Sequence, residues 1–260
     1  MKNLFREALA KGSPLGTWLM SGTPNTAEAL GHVGFDFLVL DLEHVPVDTP
    51  QAIDHLRAIG NTKAAPVVRL PWNDPIWIKR VLDIGGQTIM VPFVQNEAEA
   101  QQAVTAARYA PDGLRGVAAM HRASQYGVDS RYLHKANADT YVIVQLETPQ
   151  AVERLAEIAA VPGVDALFLG PGDLSAAMGY MGQIGHEAVQ AKIAEAAQVA
   201  KRAGKPIGIV GPTPEMVKKF IGYGYDYVAI SSDMGMMTGR AMAYLNALQG
   251  SAQQDPAGPY

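Results

Sequence analysis

The chain has 260 residues, 48% of them hydrophobic and 18% charged, which is enough apolar content for a sizeable core and excludes disorder as its main state. With 21 Lys and Arg against 25 Asp and Glu, the formal net charge is −4 and no basic run stands out, so the electrostatic footprint of a nucleic-acid binder is missing. Cysteine is absent, which excludes disulfide scaffolds, thiolate metal sites and thiol nucleophiles and suits a reducing, cytoplasmic setting.

No uncharged apolar run reaches the roughly 18 residues of a membrane span. The opening stretch MKNLFREALAKG has the spacing of a short amphipathic helix, in which Glu7 and Lys11 interrupt any signal-peptide core. Eight short β-rich runs follow: LGTWL at 15–19, FDFLVLDLE at 35–43, PVVRL at 66–70, TIMVPFV at 88–94, YVIVQLE at 141–147, DALFLG at 165–170, PIGIVG at 206–211 and YVAIS at 227–231. They are near-continuous Val/Ile/Leu stretches without strict alternation, the pattern of strands buried on both faces in a parallel sheet. Helical spacing fills the intervals, from TAEALGHVG near the start to MGMMTGRAMAYLNAL near the end. Thr49, Asn73, Asn96, Thr148 and Thr213 are predicted helix caps, with Pro50, Pro149 and Pro214 in the first turns. Gly60, Gly163, Gly204 and Gly224 lie near the far ends, where a left-handed residue is wanted.

Eight strand–helix units predict a single-domain (β/α)8 TIM barrel over residues 1–249. A doubly wound open sheet is the alternative, disfavoured because the count is eight and no edge strand is evident. Residues 111–138 are too long for one loop and are expected to add short helices or a lid over the barrel mouth. The polar, Pro/Gly-rich stretch 250–260 reads as a loose tail.

Barrels of this kind place chemistry at the C-terminal strand ends. Here the second run ends in Asp41, Glu43 and His44, the third in Arg69, the fifth in Gln145 and Glu147, and the sixth leads through GPGD to Asp173. So many ionisable groups at one rim are costly unless they are paired or bind a metal. Glu147 and Asp173 form an oxygen-rich pair suited to a hard divalent ion such as Mg²⁺ or Mn²⁺, with open positions for a chelating 2-oxo acid. The alternatives are helix capping for Asp173 and a salt bridge with Arg69 for Glu147. In GPGDLS, Gly170 and Gly172 bare backbone N–H groups that favour an anion; Ser175 stands where a dinucleotide fingerprint needs its third glycine. Arg69, inside an apolar strand, needs a partner, either Glu147 or a substrate oxygen. His44 is a general base or a structural hydrogen-bonding residue. His32, His55, His121, His134 and His186 are background, His121 with a reservation for the lid. No lysine falls inside or just after a predicted strand, since Lys63 and Lys205 precede theirs, so an imine mechanism is disfavoured. No GxSxG elbow is present.

The segments FDFLVLDLEH, PVVRLPWND, VLDIGGQTIMVPFV, RGV, VQLETPQAVE and FLGPGDLS together resemble the class II pyruvate aldolases of the HpcH/HpaI family, across residues 4–248. The resemblance implies reversible cleavage of a 4-hydroxy-2-oxo acid to pyruvate and an aldehyde through a metal-stabilised enolate, in aromatic-compound or sugar-acid catabolism. It implies one divalent ion (Mg²⁺, Mn²⁺ or Co²⁺) on Glu147 and Asp173, with Asp41 and Gln145 in the hydrated shell. Pyruvate would lie with its carboxylate against the amides of Gly172 and Asp173. Arg69 would hold the keto oxygen, His44 would be the base, and Asp83 would orient that histidine from the adjacent subunit. It also implies a homo-oligomer, usually a hexamer, with the last helix exchanged between subunits. AAMHRASQYG at 118–127 departs from the family pattern, and Met120 and His121 are expected to narrow the aldehyde side. Alternatives are a CoA-ester lyase of the citrate-lyase-β or malyl-CoA type, which needs a basic groove not evident here, a macrophomate-synthase-like enzyme, and a catalytically silent barrel.

Overall fold

A computed structural model describes residues 3–249. Its strands are β1 (Leu15–Leu19), β2 (Phe37–Asp41), β3 (Ala65–Arg69), β4 (Thr88–Val91), β5 (Tyr141–Leu146), β6 (Ala166–Leu169), β7 (Ile207–Gly211) and β8 (Tyr227–Ser232). Each pairs in parallel with the next, and β8 pairs back onto β1, so the sheet is a closed barrel. The helices are α1 (Leu4–Lys11), α2 (Pro24–Val33), α3 (Thr49–Gly60), α4 (Pro75–Asp83), α5 (Glu97–Ala107), α6 (Tyr132–Asp139), α7 (Pro149–Glu153), α8 (Leu155–Ala160), α9 (Pro171–Ala177), α10 (Glu187–Arg202), α11 (Pro214–Tyr223) and α12 (Asp233–Gln249). The predicted TIM barrel stands, and closure excludes the open sheet. Strands such as β2 and β5 are buried at every residue because one face meets the barrel interior and the other the helices.

Helix starts follow local chemistry. Asn96, Thr148 and Thr213 cap α5, α7 and α11 as predicted, each accepting a first-turn N–H. At α3 and α4 the cap moves one residue, to Asp48 and Asp74, whose carboxylates take the free amides in place of Thr49 and Asn73. Gly224 ends α11 in the left-handed region at φ 102°, whereas Gly60 remains helical. The helical stretch that begins at Pro149 breaks at Arg154 into α7 and α8.

The two ends of the barrel differ. At the N-terminal end, α1 drives Phe5 into the interior, where its ring meets Phe37, Tyr141 and Tyr227 edge-on at 5.1–5.5 Å. Gly16 and Gly208 make room, since a Cβ at either would overlap the Phe37 or Tyr227 ring. This aromatic cluster closes the floor. The mouth lies at the opposite pole, where the strands end.

Each barrel helix runs from the mouth back to the floor. The segment 108–140 joins α5 to β5, so it leaves and returns at the floor. It is tied there by Arg6 Nη1 donating to Ala138 O (2.9 Å) and Asn3 Nδ2 to Asp139 O (3.1 Å). It contains α6 and a 3-10 turn at Arg122–Ser124, the short helices expected. It is not a lid over its own mouth. Leu114 N–H bonds Thr105 O, and Arg122 reaches Ile84 O, along the flank of α4 and α5.

The last helix is anchored at its start, where Asp233 accepts the N–H groups of Met20 and Ser21. Beyond that it leaves Met237, Tyr244, Leu245 and Leu248 exposed. The tail expected at 250–260 lies outside the described residues. Among the described residues, no helix is long and apolar enough to cross a membrane.

Candidate active site

A cavity of ≈ 140 Å³ opens at the mouth, lined among others by His44, Arg69, Gln145, Glu147, Gly172 and Asp173. The ends of β2, β3 and β5 and the start of α9 bring these residues together, as the strand-end rule predicted. Asp41 lies behind them, and Asp83 is elsewhere.

Arg69 is nearly buried and held by carboxylates. Its Nε and Nη2 donate to the two oxygens of Asp41 at 2.9 and 2.8 Å, and Nη1 lies 2.9 Å from Glu43 Oε2. The guanidinium stacks over Trp18, 4.3 Å from the ring centroid. Its partners are therefore Asp41 and Glu43 rather than Glu147. Asp41 is fully buried and also accepts Glu43 N–H at 2.9 Å, which shapes the turn after β2. That turn carries His44, with a side chain 59% exposed and Nε2 3.8 Å from Glu43 Oε2.

Glu147 is buried at the base of the cavity. Gln145 Nε2 donates to its Oε1 and Phe93 N–H to its Oε2, both at 2.8 Å. A Cβ at position 170 would lie 2.7 Å from Glu147 Oε1, so Gly170 is what leaves the carboxylate its place. Burial pushes the Glu147 carboxyl up to about 8, helped by the charges of Glu43 and Asp173 and opposed by the Phe93 N–H and Arg69. Burial also raises the Glu43 carboxyl, against the pull of Arg69. Asp173 sits in the first turn of α9, where Gly170 is the cap residue and no side chain caps the helix. Its carboxylate is exposed and lines the cavity beside Glu147.

These residues fit a hard divalent ion. Glu147 is a buried carboxylate stabilised as its acid while no cation is near. Gln145 Oε1 is buried on the same wall without a hydrogen-bond partner, and Asp173 adds a second carboxylate. All the donors are oxygen, the choice of Mg²⁺ or Mn²⁺. Among the described residues, no group of three or more His, Asp and Glu forms a metal site by itself, so an ion here would draw on two carboxylates, with the Gln145 amide oxygen alongside.

Asp83 ends the nine-residue α4, about 13 Å of helix away from the mouth. Arg115 Nη2 holds it at 2.7 Å, and His121 Nε2 lies 3.7 Å away. It therefore points away from the mouth of its own barrel. Met120 and His121 belong to the same floor-side segment and do not line the cavity, so they do not narrow it within one chain.

Sequence reasoning gave Glu43 no role, although its place two residues after Asp41 lets one guanidinium reach both. It also missed Phe93, because TIMVPFV reads as strand to its end. β4 stops at Val91, and Pro92, unable to donate to a ladder, was the available signal.

With the fold and cavity established, comparison with known proteins gives one answer. A sequence model of the HpcH/HpaI aldolase/citrate lyase family matches residues 15–239. The chain is 51% identical over 240 residues to a 2-dehydro-3,6-dideoxy-6-sulfogluconate aldolase of Pseudomonas putida, covering 92% of this chain and 94% of that one. It is 43% identical over 235 residues to a 5-keto-4-deoxy-D-glucarate aldolase of Enterobacter sp. (strain 638), covering 90% and 92%. A crystal structure of an HpcH/HpaI aldolase/citrate lyase family protein from Burkholderia cenocepacia J2315 superposes with a TM-score of 0.91 at 38% identity, covering 95% of this chain and 100% of that one. The chain belongs to the HpcH/HpaI aldolase/citrate lyase family. Within it, the chain is an aldolase, a carbon–carbon lyase.

Proposed function

We propose that this aldolase reversibly cleaves 4-hydroxy-2-oxo acids to pyruvate and an aldehyde, using a divalent ion (Mg²⁺, Mn²⁺ or Co²⁺) held by Glu147 and Asp173. The observation that carries this reading is that Glu147, Asp173, Arg69 and His44 share one cavity of ≈ 140 Å³. Bound there, the ion would supply positive charge against the developing enolate.

The chain's own groups account for the rest. The amides of Gly172 and Asp173, at the start of α9, receive the substrate carboxylate. Gln145 and Asp41 stand behind, Asp41 turned onto Arg69. Arg69, oriented by Asp41 and Glu43, faces the keto oxygen and stabilises its negative charge. His44 takes the proton from the C4 hydroxyl. The C3–C4 bond then breaks, the aldehyde leaves, and its electron pair collects in the pyruvate half. Protonation at C3 releases pyruvate.

Asp83 orients His44 of an adjacent subunit, a role supported by its position away from its own mouth. The exposed apolar residues of α12 support a homo-oligomer that exchanges this helix, assembled as a hexamer. The two similar aldolases are named for sugar-acid substrates, which supports a hydroxylated aldehyde and a place in sugar-acid catabolism. Against a CoA ester stands the cavity lining, where Arg69 is the lone arginine and no lysine joins it to form the basic groove that the CoA phosphates need. A cytoplasmic location fits the absence of cysteine.

The test is pyruvate release from a 4-hydroxy-2-oxo acid with and without chelator. Activity should vanish on chelation and return with a divalent ion. Turnover that survives complete metal removal would reject the mechanism.

A further inference from the structure

The loop after β4 makes an unusual turn at one residue. Phe93 has φ 54°, in the left-handed region that glycine enters freely and a bulky side chain rarely does. The turn aims two successive N–H groups at β5. Phe93 N–H reaches Glu147 Oε2 at 2.8 Å, and Val94 N–H reaches Gln145 O at 3.0 Å. Glycine would make this turn at no steric cost, so the phenyl ring must contribute something else. Core packing is not the reason, because the residue is 41% exposed. The ring stacks on Trp72, from the β3–α4 connection, at 5.9 Å between centroids and 25° between planes. Trp72 is itself 55% exposed.

Glu147 is held by one donor on each oxygen. Gln145, two residues earlier at the end of β5, belongs to the same stretch of chain and moves with it. Phe93 is the donor that reaches Glu147 from another element. Whatever fixes the β4–α5 loop therefore fixes the carboxylate relative to the rest of the cavity.

We propose that the Trp72–Phe93 stack is a clamp that locks the loop in its left-handed turn and so presents the Phe93 N–H to Glu147. Both aromatic residues are positioning residues for that carboxylate. The inference rests on the reading of Glu147 as a metal ligand. Backbone strain of this kind persists only where surrounding contacts over-determine it. Partners that orient a ligating carboxylate are typically worth about 10-fold or more in metal affinity.

The experiment is calorimetric titration of the intact protein with Mn²⁺, alongside a thermal melt in chelator to verify folding. Trp72→Ala and Phe93→Ala should each weaken Mn²⁺ binding about 10-fold. Trp72→Phe, which restores a stacking ring, should recover most of that loss. Phe93→Gly, which takes the turn unaided, should lose less than Phe93→Ala; a merely structural role for the ring does not give this order. The inference is overturned if Trp72→Ala and Phe93→Ala bind Mn²⁺ as tightly as wild type while Glu147→Gln weakens binding. If Glu147→Gln leaves the affinity intact, the ligand assignment itself fails and the clamp falls with it.

Discussion

Asp41 and Arg69 face each other in register across β2 and β3, and two parallel N–H···O bonds of 2.9 and 2.8 Å join them. The pair is almost wholly removed from water, so the arginine is a fixed positive group rather than a mobile surface charge. Removing Arg69 leaves the Asp41 charge buried without its cation, and removing Asp41 leaves the buried guanidinium with Glu43 as its remaining carboxylate and two donors unpaired. Asp41→Ala should therefore cost about 3–5 kcal/mol of stability, read by denaturant unfolding. Arg69→Ala should lower turnover about 100- to 1,000-fold, as loss of an oxyanion donor does, while Mn²⁺ affinity stays near wild type. Unchanged turnover in that variant would remove Arg69 from the chemistry.

Glu147 gives the metal-free protein a defined pH dependence. Its carboxyl holds a proton up to about 8 when folded, against an ordinary value of 4.5 when unfolded. Between those values the folded state binds more protons, so stability is greatest at the acid end and falls as pH rises through the window. In chelator, this group should make the melting temperature decline from pH 5 to pH 8. A divalent ion should flatten the decline, and Glu147→Gln should remove this contribution. A chelated wild type whose melting temperature rises over the same range would contradict the assignment.

Gly170 is needed for space rather than for flexibility. A methyl group there would lie 2.7 and 2.8 Å from Glu147 Oε1 and Cγ. Gly170→Ala should displace the carboxylate and weaken Mn²⁺ binding at least about 10-fold, with the far-ultraviolet circular dichroism of the barrel preserved.

If Asp83 serves the neighbour's His44, two inactive chains should complement each other. Asp83→Ala and His44→Ala should each be nearly inactive alone. Unfolded together and refolded as a mixture, they should recover activity that neither has, because some sites then combine an intact histidine with an intact aspartate. No recovery in mixed oligomers verified by mass would place both residues in one chain's function.

The apolar side of α12 should behave as an interface. Leu245 and Leu248 are 53% and 85% exposed in the single chain. Leu245→Asp should lower the mass measured by light scattering without changing the monomer's helical content. An unaltered mass would exclude this face from assembly.

The fold was legible because strands buried on both faces leave long Val/Ile/Leu runs, and eight of them are enough to close a ring. The cavity was legible because polar residues at the ends of such runs have nowhere to go except the mouth. Pairing was not. Asp41 and Arg69 are 28 positions apart, and only the β2–β3 register brings them level. The pole of residues 111–138 could have been read from chain polarity alone, since a helix-to-strand connection in a barrel belongs at the floor. Asp83 on its own is an acid at a helix end, and nothing within one chain's sequence gives it a target in another. Phe93 escaped because left-handed backbone in an aromatic residue has no composition signal.

The ring cluster around Phe5 has a consequence for traffic. Among the described residues that end is filled by rings, so, on the proposed reaction, substrate and both fragments would pass through the mouth.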